Sequence, residues 1–187
     1  MKVGVRGSDL ALAYAALACK ALQCETEIVV IKSAGDLNPD VPISEIGGKG
    51  VFCSALEKEL LDGNIDVAVH SLKDLPGDVE TAGLVVNAVL KRNSPHDVML
   101  GKVTIGSVIG TSSPRRIAQL TQLYSSLDVT FKPIRGNIDT RIAKLQTGEY
   151  DAIVLAEAGL DALNIPNTKI RLPIIPAVGQ GIIALQT

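Results

Sequence analysis

Between residues 103 and 163, short apolar runs alternate with segments of helical spacing, and two of the strand-to-helix corners carry arginines. Gly110-Thr111-Ser112-Ser113-Pro114-Arg115-Arg116 follows the run ending in Val108-Ile109 and leads into Ile117 and Leu120. Arg135-Gly136-Asn137-Ile138-Asp139-Thr140-Arg141 follows the run over residues 129–134 and leads into Ile142 and Leu145. Such alternation leaves few folds open, because strands separated by helices build βαβ units around parallel sheet and place ligand sites at the carboxyl ends of the strands. Free backbone N–H groups, the positive end of the helix dipole and guanidinium forks all favour an anion at corners of this kind. A single arginine there would ordinarily be solvated surface charge. Four at two equivalent corners point to an anionic ligand with several carboxylates or phosphates.

The rest of the chain extends the alternation. Residues 3–6 read as a strand, and Ser8 as the N-cap of an Ala- and Leu-rich helix reaching about Leu22. A strand over residues 26–31, a Gly-, Asn-, Asp- and Pro-containing loop over 35–42, and a helix with Phe52, Leu56 and Leu60 on one face follow. Residues 66–69 and 84–90 read as buried strands, and the polar stretch 91–97 as a crossing point. The second set starts near Val103; Gly148 stops its middle helix, and residues 152–155 lead into a short helix to Leu163. The expected architecture is α/β in two halves with a cleft between them and no internal repeat strong enough to claim. Domain 1 is expected from residues 1–92 and 173–187, and domain 2 from 93–172.

Composition removes several function classes. With 47% hydrophobic residues in 187, the chain supports an aliphatic core, and its net charge of −2 makes the arginines a local feature. A basic nucleic-acid face is not expected, nor is a base-stacking platform from 3% aromatics and no Trp. No run approaches membrane-span length and no signal peptide is read at the start, so a cytoplasmic, reduced protein is expected. Cys19, Cys24 and Cys53 lack metal-like spacing, and His70 and His96 have no clustered partners, so no metal site is expected. Cys53 lies near a helix start but has no base in sequence reach, and no nucleophilic role is assigned to it.

One further segment carries chemistry. His70-Ser71-Leu72-Lys73-Asp74-Leu75-Pro76 follows a buried strand directly, and a strand end crowded with hydroxyl, ammonium and carboxylate groups is where a parallel-sheet protein places its site. The competing reading is an ordinary polar loop with a surface Lys73–Asp74 pair.

Taken together, these segments resemble the porphobilinogen deaminase (hydroxymethylbilane synthase) family. The resemblance is carried by Arg6 and Ser8, Gly35-Asp36, Gly47-Gly48-Lys49-Gly50-Val51-Phe52, residues 70–76 and the two arginine stretches. Asp151-Ala152-Ile153-Val154-Leu155-Ala156 and Pro176-Ala177-Val178-Gly179-Gln180-Gly181 complete it. It implies two type II periplasmic-binding-protein-like α/β domains with an interdomain cleft. It also implies condensation of four porphobilinogen units into linear hydroxymethylbilane with release of ammonia, on a dipyrromethane cofactor held by a cysteine. Asp74 is the implied catalytic residue. Lys49, Lys73, Arg6, Arg115, Arg116, Arg135 and Arg141 are implied to bind carboxylate arms, with Ser8, Ser71, Thr111, Ser112 and Ser113 as neutral donors. Phe52 is implied to pack on a pyrrole ring and Gln180 to lie near the hinge. The implied partners are porphobilinogen and oligopyrroles.

The pattern also departs from the family. The family's cofactor-bearing third domain has no counterpart in these 187 residues, and Cys19, Cys24 and Cys53 lie in regions matching the first domain. Covalent dipyrromethane attachment is therefore not expected. Glu45 stands where the family commonly has Lys, and Ala34 and Ala162 where it has Arg, which predicts a weaker hold on a polycarboxylate. The alternatives are a non-catalytic module binding an organic anion or tetrapyrrole precursor, and one part of a split deaminase whose third domain is a separate chain. An exposed apolar patch near Ile182-Ile183 would mark the split form.

Overall fold

The computed structural model describes residues 1–33, 50, 53–77, 81–166 and 168–187. Ala34, the loop expected over 35–42, Glu45, Lys49 and Phe52 lie outside the described residues. The chain divides into two compact units, Met1–Asn93 with Gly181–Thr187, and Ser94–Gln180.

In the first unit, β1 (Lys2–Val5) buries Val3 and Val5 completely. Ser8 then takes an extended backbone and its Oγ accepts the Ala11 N–H at 3.3 Å, which opens α1 (Asp9–Leu22). The helix stops at Gln23 in the left-handed conformation, and β2 (Glu27–Val30) returns parallel to β1. α2 (Ser54–Leu61) sets Leu56 and Leu60 against Ile65 and Ala68. β3 (Val67–Ser71) is buried over its first four residues, the pattern of a strand covered on both faces, and passes straight into a 3-10 turn, Leu72–Asp74. β4 (Val86–Val89) forms one sheet edge, and β10 (Ile183–Gln186) pairs antiparallel with both β3 and β4, giving the order β2-β1-β3-β10-β4.

The second unit contains β5 (Asp97–Gly101), β6 (Val108–Gly110), α3 (Pro114–Leu123), β7 (Thr130–Lys132) and α4 (Ile138–Gln146). β8 (Ala152–Ala156), α5 (Glu157–Ala162) and β9 (Ile170–Arg171) complete it. Its sheet runs β7-β6-β8-β5-β9, with β6 parallel to β7 and β8, and β5 antiparallel to β8 and β9. Alternate residues of β5 and β8 feed two cores. Val98, Leu100, Ile153 and Leu155 join Ile138, Ile142 and Leu145 of α4, while Met99, Ala152 and Val154 join Leu120 of α3. Each fully buried aliphatic side chain of this kind contributes roughly 1.5–3 kcal/mol.

Several expectations change. The sheets are mixed rather than parallel, because β10 and β5 each follow a crossing between units that carries no helix, and each inserts antiparallel. β5 itself has no counterpart among the expected strands, since its opening Asp97 reads as the end of a polar stretch. Residues 173–180 cluster with the second unit, not the first: the Ile175 carbonyl accepts from Arg115 and Gln119, and the Gln180 side chain bonds Pro95 and Asp97. Ile183 is 1% exposed within β10 and Ile182 is half-buried, while Val86 and Val89 on the neighbouring β4 are exposed. Although no repeat is legible in the sequence, the two sheets share one topology, a βαβ unit, a third parallel strand, an inserted antiparallel strand and an edge.

Candidate functional site

Four of the expected site residues meet in the first unit. A cavity of about 70 Å³ is lined by Arg6 and Ser8 from the β1–α1 corner, Ser71 and Asp74 from the end of β3, and Leu10, Ala11, Tyr14, Cys53, Val69 and His70. The local sequence dictates this. The buried run of β3 ends at Ser71, and the 3-10 turn over Leu72–Asp74 swings the Asp74 carboxylate to the strand's carboxyl end while leaving it exposed. Because Ser8 caps α1 as an acceptor, its own O–H remains able to donate. Lys73, exposed on the same turn, does not line the cavity.

The walls are electrically quiet. Burial, and then the Asp74 carboxylate, push the Tyr14 phenol up to about 12. Burial, with Glu57 and Asp74 adding to it, pushes the Cys53 thiol up to about 11, against the lowering effect of backbone hydrogen bonds. Burial also pushes the His70 imidazole down to about 4, outweighing Gln186 and Glu57. All three are neutral near pH 7, so Arg6 and Asp74 are the charges on the described lining. An exposed carboxylate facing neutral walls can stabilise a cation that develops beside it, and Arg6 with two hydroxyls can hold an anionic arm. Tyr14, Cys53 and His70 are not among the expected site residues. For Tyr14 the sequence does hold a signal: a helix capped by Ser8 carries Leu10, Ala11 and Tyr14 on one face.

In the second unit the two arginine corners are adjacent. The Ser112 hydroxyl donates to the Ile134 carbonyl at 2.9 Å and accepts the Ile134 N–H at 3.0 Å, and the Thr111 N–H reaches the Lys132 carbonyl at 3.0 Å. Ser113 caps α3, accepting the Arg116 N–H at 3.4 Å, and Thr111 Oγ1 accepts the Ser113 N–H at 3.2 Å. These expected neutral donors thus shape the corner first. Arg141 Nε donates to the Gly136 carbonyl at 2.8 Å, and Arg135 is half-buried beside it in sequence.

The adjacent arginines differ sharply. Arg116 is 8% exposed; its Nε and Nη2 donate to Asp97 Oδ1 at 2.9 and 2.6 Å, and its Nη1 to the Val154 carbonyl at 2.9 Å. Arg115 is half-buried, with Nη2 2.8 Å from Asp97 Oδ2 and Nη1 on the Ile175 carbonyl. Gln180, fully buried, donates to the Pro95 carbonyl at 2.7 Å and to Asp97 Oδ1 at 3.1 Å. Burial pulls the Asp97 carboxyl upward, yet the Arg116 charge and hydrogen bonds from Arg116, Arg115 and Gln180 outweigh it and hold it below its ordinary value. Arg116 and Gln180, expected to bind ligand or flank a hinge, here build a buried cluster around Asp97.

No group of three or more His, Cys, Asp or Glu suited to a metal ion occurs among the described residues, and no helix among them is long and apolar enough to cross a membrane.

Comparison with known proteins shows the fold and the family. A solved structure of the Bordetella pertussis BvgS periplasmic VFT2 domain covers 100% of this chain and 80% of its own, at a TM-score of 0.51 and 16% identity. That likeness shows the fold, type II periplasmic-binding-protein-like α/β. The "Probable porphobilinogen deaminase" of Hyperthermus butylicus is 42% identical over 100% of this chain and 66% of its own length. The "Porphobilinogen deaminase" of Ehrlichia chaffeensis is 45% identical over 100% of this chain and 67% of its own. The chain therefore spans about two thirds of the length of these relatives. The family described as "Porphobilinogen deaminase, dipyromethane cofactor binding domain" matches residues 1–187. With an Arg6–Ser8 corner, an Asp74 turn and a match that runs from the first residue to the last, this chain belongs to the porphobilinogen deaminase family.

Proposed function

We propose that the protein acts on porphobilinogen in tetrapyrrole biosynthesis, in the cytoplasm, joining four units head to tail with release of one ammonia per unit, water adding to the terminal methylene to give hydroxymethylbilane. The observation that carries this reading is the cavity that Asp74, Arg6, Ser8 and Ser71 line together with neutral side chains. Porphobilinogen bears two carboxylate arms and an aminomethyl group. The aminomethyl group leaves in its protonated form: when the methylene–nitrogen bond breaks, the bonding pair stays on nitrogen, ammonia departs and the pyrrole becomes a cationic azafulvene. The fixed Asp74 carboxylate stabilises that cation as it forms, and can take the proton lost from the ring carbon after coupling. Arg6 and Ser8 hold an acidic arm, and Arg115, Arg135 and Arg141 serve the arms of a longer oligopyrrole.

The donor set also fits the acidic arms of dipyrromethane: Arg6, Ser8 and Ser71 are the residues that would hold it in the first unit. When bound, that group supplies a pyrrole position onto which porphobilinogen units are joined. Cys53 does not fit as its point of attachment, being 1% exposed with its thiol pushed up to about 11, and no covalent step at Cys53 is part of this reading.

The test is incubation of the full chain with porphobilinogen, following its consumption and the porphyrin absorbance after oxidation. Turnover lost at least a hundredfold in Asp74→Ala, with an unchanged melting temperature, is the expected result. Absence of consumption above a protein-free control sinks the enzyme reading, and binding without consumption leaves an organic-anion module in its place.

A further inference from the structure

We propose that Tyr14 is a substrate-positioning residue of the first unit, its hydroxyl donating to an acidic arm of the pyrrole substrate alongside Arg6 and Ser8. The inference rests on the reading of this cavity as a porphobilinogen site. Three tyrosines occur in the chain. Two are tied into the second unit by their hydroxyls: Tyr150 donates to the Pro133 carbonyl at 2.7 Å, and Tyr124 reaches Met99 Sδ at 3.7 Å. Tyr14 is different. It is 7% exposed, it lines the cavity, and its hydroxyl makes no hydrogen bond to another described residue. Its ring is buried while its hydroxyl is not among the sealed-off polar atoms, so on the lining of a polar cavity the O–H is placed for a ligand.

Helical geometry supports the same placement. Tyr14 lies on the α1 face that carries Leu10 and Ala11, and these three line the cavity together with Arg6 and Ser8 of the preceding corner. The phenol stays protonated because burial, and then Asp74, disfavour an anion there, which makes it a donor and never a competing charge. Arg6 is the one cation among the described residues lining the cavity, and a carboxylate has lone pairs for more donors than one guanidinium supplies. A neutral donor fills that need without repelling the azafulvene cation that Asp74 must hold.

The experiment uses the full chain, which has no tryptophan to mask tyrosine absorbance. Porphobilinogen is expected to produce a near-ultraviolet tyrosine difference spectrum that persists in Tyr124→Phe and Tyr150→Phe and vanishes in Tyr14→Phe. Tyr14→Phe is also expected to raise KM for porphobilinogen about tenfold, the worth of one hydrogen bond to a charged group, with kcat moved much less. Binding by equilibrium dialysis without a Tyr14-dependent spectrum, or a KM within twofold of wild type, overturns the proposal and leaves the enzyme reading standing. No binding at all overturns both.

Discussion

Arg115 and Arg116 stand side by side in sequence and in the first turn of α3, yet one turns inward and the other keeps a quarter of its side chain in solvent. Asp97, 0% exposed, takes two hydrogen bonds from the Arg116 guanidinium and an ion pair from Arg115. Removing one partner of a buried pair leaves an uncompensated charge, so Arg116→Ala is expected to destabilise the protein by about 3–5 kcal/mol in urea unfolding. Arg115→Ala leaves Asp97 with Arg116 and Gln180 and should lose only about 1–2 kcal/mol, while weakening oligopyrrole binding. Equal losses from the two variants would refute the division of roles. Nothing in the sequence separates these two residues, because the distinction depends on a carboxylate nineteen positions away. Asp74, Arg6, Ser8 and Ser71, by contrast, are legible there: each sits within a few residues of a strand end that its own apolar run defines.

At the level of elements, the strand that the sequence hides is the one on which the second unit depends. β5 lies between β8 and β9, and its residues reach into both cores. Its periodicity is masked because Asp97 opens it and Gly101 closes it, and both residues ordinarily mark loops. Each has a structural reason to be there. Asp97 is neutralised by α3, and Gly101 has φ of +92°, where a Cβ would stand only 2.2 Å from the Asp151 carbonyl oxygen. Any side chain at Gly101 strains the backbone and drives into the partner strand's backbone, which cannot move as a flexible side chain could. Gly101→Ala is therefore expected to cost at least about 2 kcal/mol. Hydrogen exchange should show the loss at the amides of β5 and β8, with β1 and β3 unaffected. Unchanged protection along β8 would contradict this account of the strand's end.

Across the whole molecule, the α/β class and the positions of most strands and helices follow from the alternation of apolar runs, whereas mixed pairing does not. Direction in a sheet depends on where the chain crosses between units, and no local pattern encodes that. The two units also differ in how they hold buried charge, and acid should separate them. In the first, His70 is 7% exposed and burial lowers its imidazole from 6.5 to about 4 in the folded state, with Gln186 and Glu57 pulling weakly the other way. Between those two values the unfolded chain binds a proton that the folded chain refuses, so stability falls as pH drops from about 6.5 to about 4, by roughly 3 kcal/mol in all. In the second, Asp97 and Glu157 are held below their ordinary 3.8 and 4.5 by the cations and hydrogen-bond donors around them. Their contribution is complete above those ordinary values and is lost only as pH falls further, toward their depressed folded values. Hydrogen exchange along an acid titration, corrected for intrinsic rates, should therefore find β3 and β10 losing protection near pH 5 while β5 and β8 remain protected. His70→Gln keeps a polar side chain in the same place without the titration and should flatten the pH slope of the first unit, whatever its effect on stability at neutral pH. Loss of protection in the second unit first, or an unchanged slope in His70→Gln, would mean that a group other than His70 governs the acid response.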